Sequence, residues 1–411
     1  MQTAISAELL NNPDIAEADA ILRTCVHCGF CMATCPTYQL LGSELDGPRG
    51  RIYLIKEMLE TRKAGGNTRL HLDRCLTCRS CETTCPSGVR YGRLIDIGRA
   101  TVEQMAPRSL AERLMRKAML MVIPYTARMS VALSFARMFR PLLPAELRKK
   151  IPARQEPASR PSAVTPAASH ARRMLVLDGC VQPLGTPNTN AAAARVLDRL
   201  GITLVSAQGA GCCGALNQHL SDPGGARAMM RRNIDAWWPH VAGGAEAIVM
   251  TASGCGLMVK DYGHALRDDA AYAGKAARIS ALTRDLSEII SGEFLNREIP
   301  DAYAHTGRGR RVAFQSSCTL QHGQRLGGTV EAILRFCGYE LTPVADSHLC
   351  CGAAGTYTLT QPVLSRKLLE NKLAALSEGK PEVIATANVG CQMHLAGASD
   401  VPVKHWIELL E

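Results

Sequence analysis

The sequence predicts an α+β multidomain protein, a helical N-terminal domain followed by two tandem α/β repeats. Three observations carry this reading. One cysteine pattern occurs twice within the first 86 residues, at 25–36 and 75–86. Apolar residues recur at helical spacing in 51–60 and 94–105, between and after those patterns. Beyond residue 172, short apolar runs alternate with helical runs, and the whole order occurs twice.

The chain has 411 residues, 46% of them hydrophobic, which is enough for two or three domains with buried cores. Its 17 cysteines are too dilute for a disulfide mini-protein and too many for a cytosolic chain without a metal task. The first twenty residues carry Glu8, Asp14, Glu17 and Asp19 and no Lys or Arg, so no secretory signal is expected and the setting is a reducing cytoplasm. The most membrane-like stretch, 119–139, is broken by Pro124, Arg128 and Arg137; it is too interrupted to span a bilayer but suited to lie on one.

In the N-terminal domain (1–107), Cys25, Cys28, Cys31 and Cys35-Pro36 match Cys75, Cys78, Cys81 and Cys85-Pro86 as CxxCxxCxxxCP. A close triple of thiolates wraps one 4Fe-4S cube, and the fourth cysteine, carried off by the proline turn, reaches the neighbouring cluster. Two ligand sets follow, Cys25, Cys28, Cys31 with Cys85, and Cys75, Cys78, Cys81 with Cys35. A pair of zinc sites would leave four of these cysteines unexplained. The domain therefore reads as a helical, ferredoxin-like unit with two 4Fe-4S clusters and loops carrying the cysteines.

The next segment (108–171) is a basic amphipathic stretch and a linker. Six of the 21 prolines fall in 141–166. Residues 108–173 hold 14 Lys and Arg against three acids, which exceeds the net charge of +10 of the whole chain. This belt is expected to make peripheral contact with anionic lipid or with an acidic partner, or to be a solvated linker and a helix packed on its own core.

The two repeats occupy 172–304 and 305–411. Each has an apolar run leading to a cysteine (Cys180, Cys318), a Cys-Cys-Gly (Cys212-Cys213, Cys350-Cys351) and a second apolar run leading to Gly-Cys (Cys255, Cys391). The cysteines should emerge at the carboxyl ends of parallel strands, where ligands of such sheets gather. In heterodisulfide-reductase-like proteins a similar motif ends in CxxC with a fifth thiolate; here Met258 and His394 stand at that position. An additional cluster, a zinc ion or nothing is expected on Cys180, Cys212, Cys213, Cys255, Cys318, Cys350, Cys351 and Cys391, with His394. The second copy is preferred because His322 and His348 offer imidazole. Cys337 aligns with Leu200 and reads as a buried hydrophobe. Gly47-Pro-Arg49-Gly50-Arg51 lacks a Walker lysine, so no phosphate site is expected, and no flavin, nicotinamide or catalytic triad pattern stands out. No catalytic residue is assigned.

Taken together, CVHCGFC, LDGPRGRIYLI, DRCLTCRSCETTCPSGVRY, the stretch 186–190, RVLDRLGI, 232–239, TASGCG, DSHLCCG and His405-Trp-Ile-Glu resemble the iron-sulfur subunit of bacterial glycolate oxidase nearly end to end. The resemblance implies an electron-transfer subunit working with flavin-containing glycolate oxidase subunits, FAD being carried by those partners only. It would relay electrons from glycolate oxidation to a quinone or other membrane electron acceptor, on the cytoplasmic face of the inner membrane. No nucleic-acid partner is expected. The rivals are the corresponding subunit of a lactate or anaerobic glycerol-3-phosphate dehydrogenase, a heterodisulfide-reductase-like enzyme and a zinc-bound scaffold.

Overall fold

The computed structural model describes residues 1–139, 170–296 and 301–411. Most of the expected Pro-rich linker, 140–169, lies outside the described residues.

In the N-terminal region, helices Pro13–Thr24, Pro48–Thr61, Gly66–Asp73 and Tyr91–Met105 surround the cysteine segments. Asn12 caps the first by accepting from Asp14 N, with Pro13 pre-set at the first turn. Leu22, Ile55, Leu72, Leu94, Ile95 and Val102 interlock as a fully buried core. Gly50 is required by close approach, since a Cβ there would lie 2.2 Å from Glu44 O. One detail departs from the expected loops. Cys31 and Cys81 sit on short helices, Phe30–Ala33 and Ser80–Thr84. At matching places before them, His27 and Thr77, then Gly29 and Arg79, adopt left-handed backbone. Such turns aim successive N–H groups to one side and form a concave anion-binding surface; Thr77 N lies 3.4 Å from Cys75 Sγ.

The repeats form two four-stranded parallel sheets of identical topology. The first contains β1 (Arg172–Val176), β2 (Ile202–Ser206), β3 (Ile248–Met250) and β4 (Thr283–Asp285), in the order β2-β1-β3-β4. The second contains β5 (Arg311–Gln315), β6 (Glu340–Leu341), β7 (Val383–Thr386) and β8 (Val403–His405), in the order β6-β5-β7-β8. Strand alternation sorts their side chains. Met174, Val176 and Val249 share one core with Val312, Phe314 and Val383, so the two sheets bury a common face. Leu175, Ile248 and Met250 face a core within the first repeat, and Ala313 and Ile384 one within the second.

The loops after the strands also meet. Ser253 Oγ lies 2.7 Å from Ser317 Oγ, and Ser253 N donates to Ala387 O over 3.0 Å. Cys337, fully buried, closes helix Thr329–Phe336 as Leu200 closes Asn188–Arg199, and both enter the shared core.

Helices Leu110–Val122 and Thr126–Met138 meet at 114°. No single described helix is long and apolar enough to cross a membrane, although this bent pair passes by length and composition. The basic belt is less free than its charge suggests. Arg108 pairs with Asp73 and Glu103, Arg116 with Asp73, and Arg172 with Glu246 and Glu293.

Candidate iron-sulfur centres

Two neighbouring cavities lie between the N-terminal helices. The larger, about 440 Å³ and open to solvent, is lined by Cys25, Cys28, Cys31 and Cys85. The smaller, about 290 Å³, is lined by Cys35, Cys75, Cys78 and Cys81. Pro48, Cys81 and Tyr91 border both, so one thin wall separates them. Each fourth cysteine lies with the opposite triple because the following proline starts a new direction: Pro36 opens helix Pro36–Leu41, and Cys85 ends Ser80–Thr84.

The donor chemistry fits an iron-sulfur group better than a single ion. Among the described residues no three His, Cys, Asp or Glu side chains converge on one point, as a tetrahedral ion with roughly 2.3 Å bonds to sulfur requires. The thiols ring volumes instead. Burial, reinforced by Cys25, Cys85 and Cys28, pushes the Cys31 thiol up to about 11, so it gives up its proton only when a cation arrives. Around the smaller cavity the protein supplies positive charge. Arg51 donates to His71 O (2.7 Å) and to Thr37 Oγ1 (3.1 Å), and Thr37 Oγ1 lies 3.3 Å from Cys35 Sγ. Arg99 ties Leu72 O to Thr77 Oγ1, fixing the start of the second cysteine loop. These arginines were missed from sequence. Arg51 lies in the glycine-rich stretch considered for phosphate, and its i+4 spacing from Gly47 gave no hint of the cavity.

In the first repeat, Cys180, Cys212, Cys213 and Cys255 follow β1, β2 and β3, around the point where strand order reverses between β1 and β3. Hydrogen bonds from Cys180 and Cys213, with Arg232 nearby, draw the Cys212 thiol down, while Cys180 and Cys213 are raised. Arg232 Nε and Nη2 are buried and have no hydrogen-bond partner among the described residues, beside the thiol cluster. That is the signature of a site built for an anionic group.

The second repeat gathers Cys318, Cys350, Cys351 and Cys391 in the equivalent place, after β5, β6 and β7. Its amine is Lys372, buried and donating to Asp346 O at 2.8 Å; burial draws its pKa down, against the opposing pull of Cys351 and Cys350. His394 lies one turn after Cys391 and 3.3 Å from Ser365 Oγ, which donates to Gly352 O. It is thereby tied to the Cys-Cys-Gly loop. The expectation that His322 offers imidazole fails on geometry, because Thr83 Oγ1 and His348 O, each at 2.9 Å, engage both its ring nitrogens.

Comparison with known proteins agrees with this construction. Residues 21–89 match the 4Fe-4S dicluster domain, and 174–260 and 312–396 each match the Cysteine-rich domain. The fold and its thiol sets define an iron-sulfur protein, the electron-transfer component of an oxidoreductase. The chain is 54% identical to the glycolate oxidase iron-sulfur subunit of Escherichia coli, over all of this chain and 98% of that one. It is 30% identical to the probable glycolate oxidase iron-sulfur subunit of Bacillus subtilis, covering 91% of this chain and 88% of that one. Lactate utilization protein A of Bacillus licheniformis is 28% identical over 56% of this chain and 95% of its own length. The chain belongs to the family of glycolate oxidase iron-sulfur subunits.

Proposed function

We propose that this chain relays electrons from flavin-containing partner subunits, which oxidise glycolate to glyoxylate, toward a quinone or other membrane acceptor. Cys25, Cys28, Cys31 and Cys85 hold one 4Fe-4S cluster, and Cys35, Cys75, Cys78 and Cys81 the other. When bound, each cluster exchanges one electron at a time, at a potential set by hydrogen bonds, charge and solvent exposure. The observation that carries this reading is the pair of cavities, each bordered by one crossed set of four thiols and sharing the Cys81 wall. The larger opens at the surface beside exposed Cys28, Val26 and Phe30, which suits electron exchange with a partner. The smaller is bordered by more deeply buried thiols, Cys35, Cys75 and Cys81.

The sets Cys180, Cys212, Cys213, Cys255 and Cys318, Cys350, Cys351, Cys391 belong to the same proposal as further iron-sulfur sites, with Arg232 and Lys372 compensating charge. The proposed domain limits remain 1–107, 108–171, 172–304 and 305–411. The proposed location is the cytoplasmic face of the inner membrane. Its support is the helix pair Leu110–Val122 and Thr126–Met138, which exposes Leu110, Leu114, Met121, Val131, Phe135 and Met138 beside Arg113 and Lys117.

The test is copurification of the full chain with its partners, followed by EPR while glycolate is added. Cluster signals that appear with glycolate support the reading. Clusters that remain oxidised with glycolate but are reduced by lactate or glycerol 3-phosphate would reassign the substrate.

A further inference from the structure

The two repeats share a strand order, yet they meet the dicluster domain through different chemistry. The first meets it with charge: Arg79 lies 3.3 Å from Asp261, His264 3.1 Å from Glu17, and Arg267 3.5 Å from Glu17. The second repeat meets the domain with thiols and apolar side chains. Cys78 and Cys318 both pack against an apolar cluster formed by Leu76, Cys350, Tyr357, Leu364 and Leu368. Tyr357 Oη donates to Arg74 O at 2.9 Å, one residue before Cys75, and Thr83 bonds His322.

Electron transfer weakens steeply with distance and is favoured through packed atoms over gaps. A dry contact bearing thiols from both sides is therefore a path, whereas charged pairs at a wetter seam mainly fix orientation. The two repeats are joined in turn at a cysteine. Asn388 Nδ2 lies 3.6 Å from Cys391 Sγ, and Asn388 Oδ1 accepts from Gly254 N at 3.2 Å, next to Cys255.

We infer that the second repeat's thiol set stands in series between the dicluster domain and the first repeat. The order is the Cys35, Cys75, Cys78, Cys81 site, then Cys318, Cys350, Cys351, Cys391, then Cys180, Cys212, Cys213, Cys255. In each transfer one electron leaves the iron-sulfur group held by one set and arrives at the iron-sulfur group held by the next. No bond is made or broken, and no proton is required. The inference rests on the proposed function in that the dicluster thiols hold clusters.

The experiment uses the full chain, reduced with dithionite, and reads iron content together with EPR saturation of the dicluster signals. Cys351→Ser and Cys213→Ser should each lower iron. Only Cys351→Ser should lower, by at least about two-fold, the microwave power that half-saturates the dicluster signals, because it removes the neighbouring fast-relaxing group. An equal change in Cys213→Ser, no change in Cys351→Ser, or a wild type with no iron beyond the dicluster sites would overturn the series. If Cys351→Ser does not fold, the order is read in folded protein. The signal lost in Cys213→Ser must then show no magnetic interaction with the dicluster signals in the wild type, and an interaction overturns the inference. Absence of dicluster signals from the wild type would instead defeat the proposed function, so the two failures are distinct.

Discussion

Arg51 Nη2 stands 3.6 Å from Asp46 Oδ1, with both side chains 1% exposed, beside the cavity that brings Cys35 and Cys75 together. Asp46 also takes His71 Nδ1 at 2.9 Å and Arg74 at 3.0 Å, so two arginines share one carboxylate in the interior. The excess positive charge is matched by a site whose ligands are anionic when bound. A buried pair of this kind gives little net stability compared with an apolar substitute but is costly to break from one side.

Arg51→Met should therefore destabilise the N-terminal domain by about 3 kcal/mol, at the low end for a broken buried pair because Arg74 still neutralises Asp46. It should also lower the reduction potential of one cluster and leave the other nearly unmoved. Urea unfolding and an EPR redox titration read the two effects separately. A potential unchanged at both clusters would refute the charge argument.

Crossing of the fourth ligands makes a distinctive prediction. Cys85→Ser should remove the group in the larger cavity and also disturb the smaller one through the shared Cys81 wall, and Cys35→Ser should do the reverse. Iron analysis and EPR of each variant check this. Loss of one signal, with the other identical in spectrum and potential, would show that the sites are independent.

Asp285 sits fully buried where β4 ends, accepting from Ser287 N and Oγ and from Gln324 Nε2 across the repeat boundary. Burial pushes its carboxyl up to about 6, against the pull of the Ser287 hydrogen bonds and of Lys260. The folded state thus binds a proton that the unfolded chain releases near pH 4. The stabilisation from this proton is complete below about pH 4 and lost as pH rises through 6, a total of roughly 3 kcal/mol. Melting temperatures of the wild type and Asp285→Asn between pH 5 and 8 test the sign. The wild type should lose stability relative to the variant as pH rises, and a gain would contradict the assignment.

Cys337 has its thiol pushed up to about 12 by burial alone. In native protein it should resist iodoacetamide, and Cys337→Ala should keep full iron content while costing about 1–2 kcal/mol for the small cavity. Quantitative alkylation followed by peptide mapping, with iron analysis of the variant, checks both statements.

The exposed apolar side chains of Leu110–Val122 and Thr126–Met138 should bind vesicles containing anionic lipid, and the binding should weaken with salt as the charge is screened. Leu114→Glu with Phe135→Glu should abolish flotation while leaving iron content unchanged. Flotation that ignores both lipid charge and these substitutions would remove the membrane proposal.

Much of the architecture was legible because it depends on local spacing. Alternation of short apolar runs with helical runs gave the parallel α/β repeats, and their cysteines do follow β1, β3, β5 and β7 as the position of the apolar runs implied. Cys337 could be matched to Leu200 because a helix end has a recognisable neighbourhood. His322 was misjudged for the opposite reason. Its residue type allows metal ligation, but its two nitrogens are engaged by Thr83 and His348, one of them 239 residues away. The choice between a belt facing a partner and one packed on its own core was not legible in sequence, because Asp73, which pairs Arg108 and Arg116, lies outside the belt.

The sequence by itself determined the two CxxCxxCxxxCP patterns, the duplicated cysteine order and the class of chemistry they serve, since ligand type and spacing are local properties. Tertiary structure decided what lies between those groups. It turned Arg51, Lys372 and the inner guanidinium nitrogens of Arg232 inward beside thiols and made Cys81 a wall common to two cavities. It also set Cys78 against the second repeat while the first was held by ion pairs. Packing brings together residues hundreds of positions apart, and only that packing separates two repeats that read alike in sequence.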